Sequence, residues 1–143
     1  MVEERIILHG HPGVGPETEG EALVCADNFS ARYDLDRRTG VFSRPGHALY
    51  GQSLVGRICV FNTAKGGVAT AWALLDMKRR GVAPAALIFR RANPIMVQGA
   101  VLAGIALMDG LEPDPVQTIR TGDRIRVRPR AGLVEVIRRA PTP

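Results

Sequence analysis

The stretch from Arg57 to Phe89, RICVFNTAKGGVATAWALLDMKRRGVAPAALIF, decides the fold. Arg57 to Phe61 is a short apolar run containing the β-branched Ile58 and Val60, and it reads as a buried strand. Lys65-Gly66-Gly67 then opens a helix that runs to about Arg80. Val68, Ala71, Trp72 and Leu75 recur at helical spacing and are expected to form its apolar face. Lys78, Arg79 and Arg80 crowd the last turn, where cations complement the helix macrodipole. Gly81 is placed to cap the helix, and Pro84 forbids its continuation. Pro84 to Phe89 returns as a strand. Strand, glycine-containing turn, helix and strand make a βαβ crossover, and such a crossover joins two parallel strands.

The flanking segments fit around this unit. Upstream, Arg5 to His9 reads as a first strand, His11 to Gly20 as a Gly/Pro loop, and Glu21 to Ala26 as a second strand. Asn28 to Gly51 reads as irregular and polar, with turn signals at Thr39-Gly40 and Pro45-Gly46. A connection of that length inside a compact domain is usually functional or disordered. Downstream, Asn93-Pro94 is a turn before a short helix from about Ile95 to Ala103, and Ile105 to Met108 is a short strand. Thr121-Gly122-Asp123 turns into a strand from Arg124 to Arg128, and Leu133 to Ile137 closes a terminal hairpin. No internal repeat or linker interrupts the chain. One domain is expected over residues 1–140, with 141–143 as a disordered tail. Strands outnumber helices and the two mix, which predicts an α/β domain with a barrel-like β layer and two flanking helices.

Composition narrows the function classes. With 45% hydrophobic and 23% charged residues, the 143-residue chain has an ordinary globular balance and can bury one core. Aromatics are only 5%, so Val, Ile, Leu and Ala must build most of that core. No run approaches the length of a membrane span, and Met1-Val2-Glu3-Glu4-Arg5 lacks the basic-then-apolar pattern of a signal peptide. The expectation is a soluble, cytoplasmic protein. The net charge of +5 admits nucleic acid, an anionic substrate or an acidic partner. Its excess lies in Arg120, Arg124, Arg126, Arg128, Arg130, Arg138 and Arg139, several of them alternating with Ile125, Val127 and Pro129. That alternation describes the solvent face of a half-buried strand. The scarcity of aromatics for base stacking argues against nucleic acid.

Among chemistry-bearing segments, the Lys65-Gly66-Gly67 turn leads. Backbone N–H groups in the first turn of a helix lack partners and carry partial positive charge. Glycines let a ligand approach the backbone, and Lys65 adds a full charge, so Lys65, Gly66, Gly67 and Val68 are candidates to bind a carboxylate or phosphate. Glycine also occurs in such turns for steric reasons alone. The Walker and dinucleotide patterns are absent. His47, in Arg44-Pro45-Gly46-His47-Ala48-Leu49, has either an acid–base role or a loop-holding one. His9 and His11 without further ligands read as structural rather than metal-binding. Cys25 and Cys59 lie in apolar runs with no Cys-x-x-Cys spacing and read as core thiols, so no metal site is expected in this chain. Asn93 and Gln98 read first as turn and helix residues and second as ligand-bonding ones. The acids Asp27, Asp34, Asp36, Asp76, Asp109, Asp114 and Asp123 show no paired-carboxylate logic.

Several segments together resemble a known family. They are Glu19-Gly20-Glu21-Ala22-Leu23-Val24, Thr39-Gly40, His47 to Arg57 (HALYGQSLVGR), Lys65-Gly66-Gly67, Gly81 to Ile88 (GVAPAALI), Gln98-Gly99-Ala100 and Thr121-Gly122-Asp123. Their order and spacing, from about Glu19 to Val127, are similar to the swivelling domain of aconitase X proteins, also called DUF126. The resemblance implies a swivelling β/β/α domain that closes over a larger subunit holding an iron or iron–sulfur centre. It implies a heteromer in which the pair eliminates water from a small anionic hydroxy acid. Phosphomevalonate dehydratase and cis-3-hydroxyproline dehydratase are activities of the family.

The family's turn before the helix usually reads basic-Gly-Ser-Ser-x-Gly-Ser, and a serine there serves as the catalytic base. Here Lys65 and Gly66 match, Gly67 and Val68 stand in place of the two serines, and Thr70 and Ala71 in place of Gly-Ser. The nearest hydroxyls are Thr63 and Thr70. Thr70 and His47 are therefore the candidate catalytic residues, unless the large subunit supplies the base. Two rival readings remain: a partner-binding or regulatory swivel domain that has lost the serine, and a phosphohistidine-type carrier. The carrier needs an exposed histidine at a helix start, a setting His47 lacks.

Overall fold

The computed structural model describes residues 6–30, 33–65 and 67–141. Arg5, Gly66 and the last two residues of the expected tail lie outside them. Strands β1 (Ile6–His9), β2 (Thr18–Val24), β5 (Ile58–Thr63), β6 (Ala86–Arg91), β7 (Ala106–Met108), β8 (Arg124–Arg128) and β9 (Leu133–Arg138) form one sheet in the order β1-β9-β8-β2-β5-β6-β7. A two-stranded ribbon, β3 (Leu35–Asp36) with β4 (Val41–Phe42), interrupts the segment expected to be irregular. The helices are α1 (Val68–Arg80), α2 (Pro94–Ala103) and the short α3 (Pro115–Thr118), which sequence reading did not anticipate.

The sheet has two halves that share β2. Thr18–Glu21 pair antiparallel with β8, whereas Ala22–Val24 pair parallel with β5. On one side β8, β9 and β1 continue antiparallel; on the other β5, β6 and β7 run parallel through the crossover helices α1 and α2. The strand that begins the second half was expected from Glu21, but the polar Thr18–Gly20 segment is already strand because β8 supplies its hydrogen bonds. The β layer does not close into a barrel. Among the described residues, its two ends are tied by isolated bridges, His9 to Glu112 and Val14 to Leu107.

Residues alternate between the two faces of the parallel half. Cys59, Phe61, Leu87 and Phe89 join the core under the helices, with Leu74, Met77, Met96 and Ala100. Ile58, Val60, Ala86 and Ile88 join the opposite core, with Ile125, Val127, Val134 and Leu8. Burial on both faces explains why these strands read as continuous apolar runs. Both cysteines are buried core thiols, and burial pushes the Cys59 thiol up to about 12.

Two expectations need correction. Of the apolar face expected for α1, Ala71 is buried and Leu75 packs half-buried against the core, but Val68 and Trp72 are 62% and 59% exposed, and the buried stripe is Thr70, Ala71, Ala73, Leu74 and Met77. Apolar residues occur on more than one side of this helix, so periodicity alone could not select the side. The packing partner selects it, because Gly99 of α2 lies so close to Ala71 that an added Cβ would come within 2.8 Å of the Ala71 Cα. The segment Asn28–Gly51 is also not merely a polar loop. It inserts Phe29, Leu35, Phe42 and Leu49 into the helix-side core, with Phe29 stacked on Phe61 at 4.8 Å.

The Gly81 end of α1 is as the sequence implies, whereas the Asn93-Pro94 pair, expected as a turn before the helix, is the cap and first residue of α2. Gly81 adopts φ 77° and its N–H donates to the Lys78 carbonyl, ending α1. Asn93 caps α2, accepting from the Met96 N–H at 2.7 Å, with Pro94 in the first turn.

Candidate anion-binding cleft

The C-terminal edge of the parallel strands carries the candidate site. Chain segment 27–30 runs beside the end of β5, bridging Phe29 to Ala64. Asn28 fastens the two segments: its Oδ1 accepts from Asn62 Nδ2 at 2.9 Å and from Thr63 Oγ1 at 2.7 Å. The Lys65 N–H donates to the Phe29 carbonyl at 2.8 Å. Asn93 Nδ2 donates to the Ala64 carbonyl at 3.3 Å, so the cap of α2 also steadies the turn before α1. Thr70 Oγ1 makes a long contact to the Lys65 carbonyl at 3.4 Å.

These bonds hold the turn open to solvent. Lys65, Gly67 and Val68 are exposed, and Gly66 lies outside the described residues. Gly67 caps α1 without any side-chain hydrogen bond, at φ −112° and ψ −144°. A Cβ added there would meet nothing within 4 Å. A serine would fit at Gly67, so the missing hydroxyl reflects residue choice and not crowding.

In front of the turn lies a cleft of about 340 Å³ lined by Asp27, Asn28, Ser30, Tyr33, Asp34, Arg44 and Lys65. Asp34 is buried and organises the wall opposite Lys65. Its Oδ1 accepts from Arg44 Nε at 2.7 Å, and its Oδ2 from the Ser30 N–H at 2.8 Å. The Asn28 N–H, donating to Asp27 Oδ1 at 2.8 Å, holds the Asp27 carboxyl below the usual carboxylate range, with smaller help from His47 and Arg44. Arg44 Nη2 stands 4.0 Å from Asp27. Lys65 has no acidic partner among the described residues.

His47 is behind this wall. Its side chain is fully buried and stacks on Phe42 at 4.9 Å. Nδ1 accepts from the Leu49 N–H at 3.1 Å, which leaves Nε2 to donate to the Asn28 carbonyl at 3.2 Å; Asp34 and Asp27 oxygens lie 3.6 and 3.8 Å away. Thr70 is 2% exposed. In this geometry both candidate bases are occupied and covered, and neither reaches a proton on a ligand in the cleft without the turn or the loop moving.

Sequence reasoning brought Lys65 and Gly67 to the site but missed Asp27, Ser30, Asp34 and Arg44. Each is an ordinary loop residue, and their convergence depends on the β3–β4 ribbon folding back over β5. No three of His, Cys, Asp and Glu converge on a possible metal position among the described residues. Both cysteines are buried in the core, so the residues present do not fit an iron or iron–sulfur centre.

The fold and the turn now bear comparison with known proteins. The family described as "Aconitase X swivel domain" matches residues 7–136. The chain belongs to the aconitase X swivel domain family. This aconitase X swivel domain is 40% identical over 134 residues to the phosphomevalonate dehydratase small subunit of Aeropyrum pernix, covering 94% of this chain and 96% of that one. It is 38% identical over 129 residues to the protein of the same name from Methanocella arvoryzae, covering 90% and 98%. The crystal structure of Thermococcus kodakaraensis aconitase X in its holo form superposes with a TM-score of 0.86 at 31% identity, covering 92% and 98%. The resemblance drawn from the sequence therefore holds along nearly the whole swivel domain. No helix among its described residues is long and apolar enough to cross a membrane.

Proposed function

We propose that the chain is the small subunit of an aconitase X-type hydro-lyase that removes water from a hydroxy acid, with the large subunit supplying the iron or iron–sulfur centre. The names of the relatives support a phosphorylated hydroxy acid as the substrate class. The observation that carries the reading is the exposed start of α1, without a side-chain cap, beside a Lys65 that has no acidic partner among the described residues. Exposed helix-start amides and an uncompensated ammonium form an oxyanion site without further residues. In this reading Lys65 and the Gly67 and Val68 amides hold the substrate anion, and Asn28 and Asn93 fix the turn. His47 braces the 27–34 wall through the Asn28 carbonyl, and Thr70 steadies the Lys65 carbonyl.

The large subunit would also cover apolar surface. Val68 and Trp72 of α1, and Val101 and Leu102 of α2, are each more than half exposed. Co-expression with a large aconitase X subunit, followed by anaerobic assay against phosphorylated and unphosphorylated hydroxy acids, tests the proposal. We expect a stable complex with dehydratase activity, and Lys65→Ala should lower kcat/KM about tenfold or more without lowering Tm. Absence of any complex, or full activity in Lys65→Ala, would refute it.

The empty space at Gly67 favours a second reading, a partner-binding swivel domain that has lost its catalytic hydroxyl. A complex that forms, fails to eliminate water, and gains activity with Gly67→Ser would establish that reading instead.

A further inference from the structure

Ser30 is 5% exposed, lines the cleft that Lys65 faces, and has a hydroxyl with no hydrogen-bond partner among the described residues. A buried hydroxyl without a partner is destabilising, and native proteins keep few of them. Its backbone is nevertheless tightly held. The Ser30 N–H donates to Asp34 Oδ2 at 2.8 Å, the Ser30 carbonyl accepts from the Asp34 N–H at 3.0 Å, and Asp34 is itself fixed by Arg44 at 2.7 Å. The side chain is thus positioned but unused. Its neighbours in the cleft are of opposite sign: Lys65 has no acidic partner among the described residues, while Asp27 is 38% exposed and tied through one oxygen to the Asn28 N–H. Arg44 is engaged by Asp34. A wall that brings together, among the described residues, a cation without an acidic partner, a carboxylate and a buried, unpartnered hydroxyl suits a ligand bearing both an oxyanion and a hydroxyl group. A serine hydroxyl can donate to the first or accept from the second.

We propose that Ser30 is a substrate-binding residue of this cleft, whose hydroxyl hydrogen-bonds an oxygen of a hydroxylated oxyanion held by Lys65. The assignment rests on the reading of the cleft as the substrate site, and it identifies a hydroxyl group there other than those of the turn before α1. It also separates binding from stability. A structural serine loses stability on conversion to alanine, whereas Ser30→Ala removes an unpartnered polar atom and should leave Tm unchanged or raise it.

Two measurements test it. In the complex with the large subunit, Ser30→Ala should raise KM for the hydroxy acid about tenfold, the scale of one hydrogen bond to a charged group, with a smaller change in kcat. In the isolated full-length chain, titration with inorganic phosphate and with glycolate should shift the Lys65 and Gly67 amide resonances. Both ligands should bind more weakly to Ser30→Ala, and Lys65→Ala should bind neither. An active complex whose Ser30→Ala variant keeps the wild-type KM would overturn the role of Ser30 and leave the hydro-lyase reading standing. An inactive complex whose isolated chain still binds both ligands through Ser30 would do the reverse. A fall of several degrees in Tm for Ser30→Ala would show the hydroxyl to be structural and also overturn the proposal.

Discussion

The arginine-rich face of the antiparallel half and the cleft before α1 both carry cationic side chains, but they differ in how these are compensated. On the sheet face Arg124 and Arg126 each reach Glu19 at 2.9 Å, and Arg128 reaches Glu135 at 3.2 Å. Glu17 stands 3.7 Å from Arg128 and 3.9 Å from Arg126. The register of β2 on β8 produces this, because it sets Glu19 opposite Arg126 and two residues from Glu21, the partner of Arg124, on the same face. In the cleft, by contrast, Asp34 neutralises Arg44, but no acidic side chain among the described residues neutralises Lys65. A run of arginines therefore marks a solvated, paired face, and a single unpaired lysine at a helix start marks the better candidate for a ligand. Counting charges would have ranked the two regions the other way round.

The comparison can be broken most strongly at Asp34. Asp34→Ala removes the acceptor of Arg44 and of the Ser30 N–H from a buried position. We expect a loss of about 3 kcal/mol in urea denaturation, the low end for breaking a buried pair because Arg44 is partly exposed. Asp34→Asn, which retains an acceptor for the Ser30 N–H, should lose less. An equal loss in Glu19→Gln would erase the distinction between the regions.

Acid titration sharpens the same contrast. The side-chain hydrogen bonds of Arg124 and Arg126 hold Glu19 below the usual carboxylate range, whereas the Asn28 backbone N–H does most of this for Asp27. Both carboxyls have depressed folded values. Each therefore contributes stability above its unfolded pKa that is lost as the pH falls through its folded one. Salt screens exposed ion pairs more than a local backbone hydrogen bond. In carboxyl-resolved NMR titrations, added salt should move Glu19 toward its ordinary value and leave Asp27 largely in place. Equal salt sensitivity would show that both are held by long-range charge.

The smallest effect is expected at the sheet face itself. Glu19→Gln should shift Tm slightly at low salt and not at all at high salt, because exposed ion pairs contribute little to stability. A large, salt-independent shift would show that this face is more than solvated.

Much of the fold was legible. The βαβ unit, the Gly81 helix end, the terminal hairpin and the buried cysteines follow from periodicity and turn chemistry over a few residues. The buried side of α1 was not legible, because Val68 and Trp72 are as apolar as the residues that pack inward. Phe29 and Phe42 were also hidden inside a polar, turn-rich segment, where two isolated aromatics leave no periodic signal. Of the cleft, the Lys65–Gly67 turn was legible as a helix start, and its opposite wall was not.

By itself the sequence determined the parallel crossover, the alternation of its strands and the exposed start of α1. Each depends on contacts between residues near in the chain, through φ preferences, capping and side-chain period. Tertiary structure alone decided which helix stripe is buried, and that Asp34, Arg44 and Ser30 face Lys65. Those contacts join segments tens of residues apart, as Asn28 and Asn62 do across 34 positions. The Phe29–Ala64 bridge, the Asn28 hydrogen bonds and the packing of Phe42 beside Phe61 fix their distance, and no local pattern encodes it.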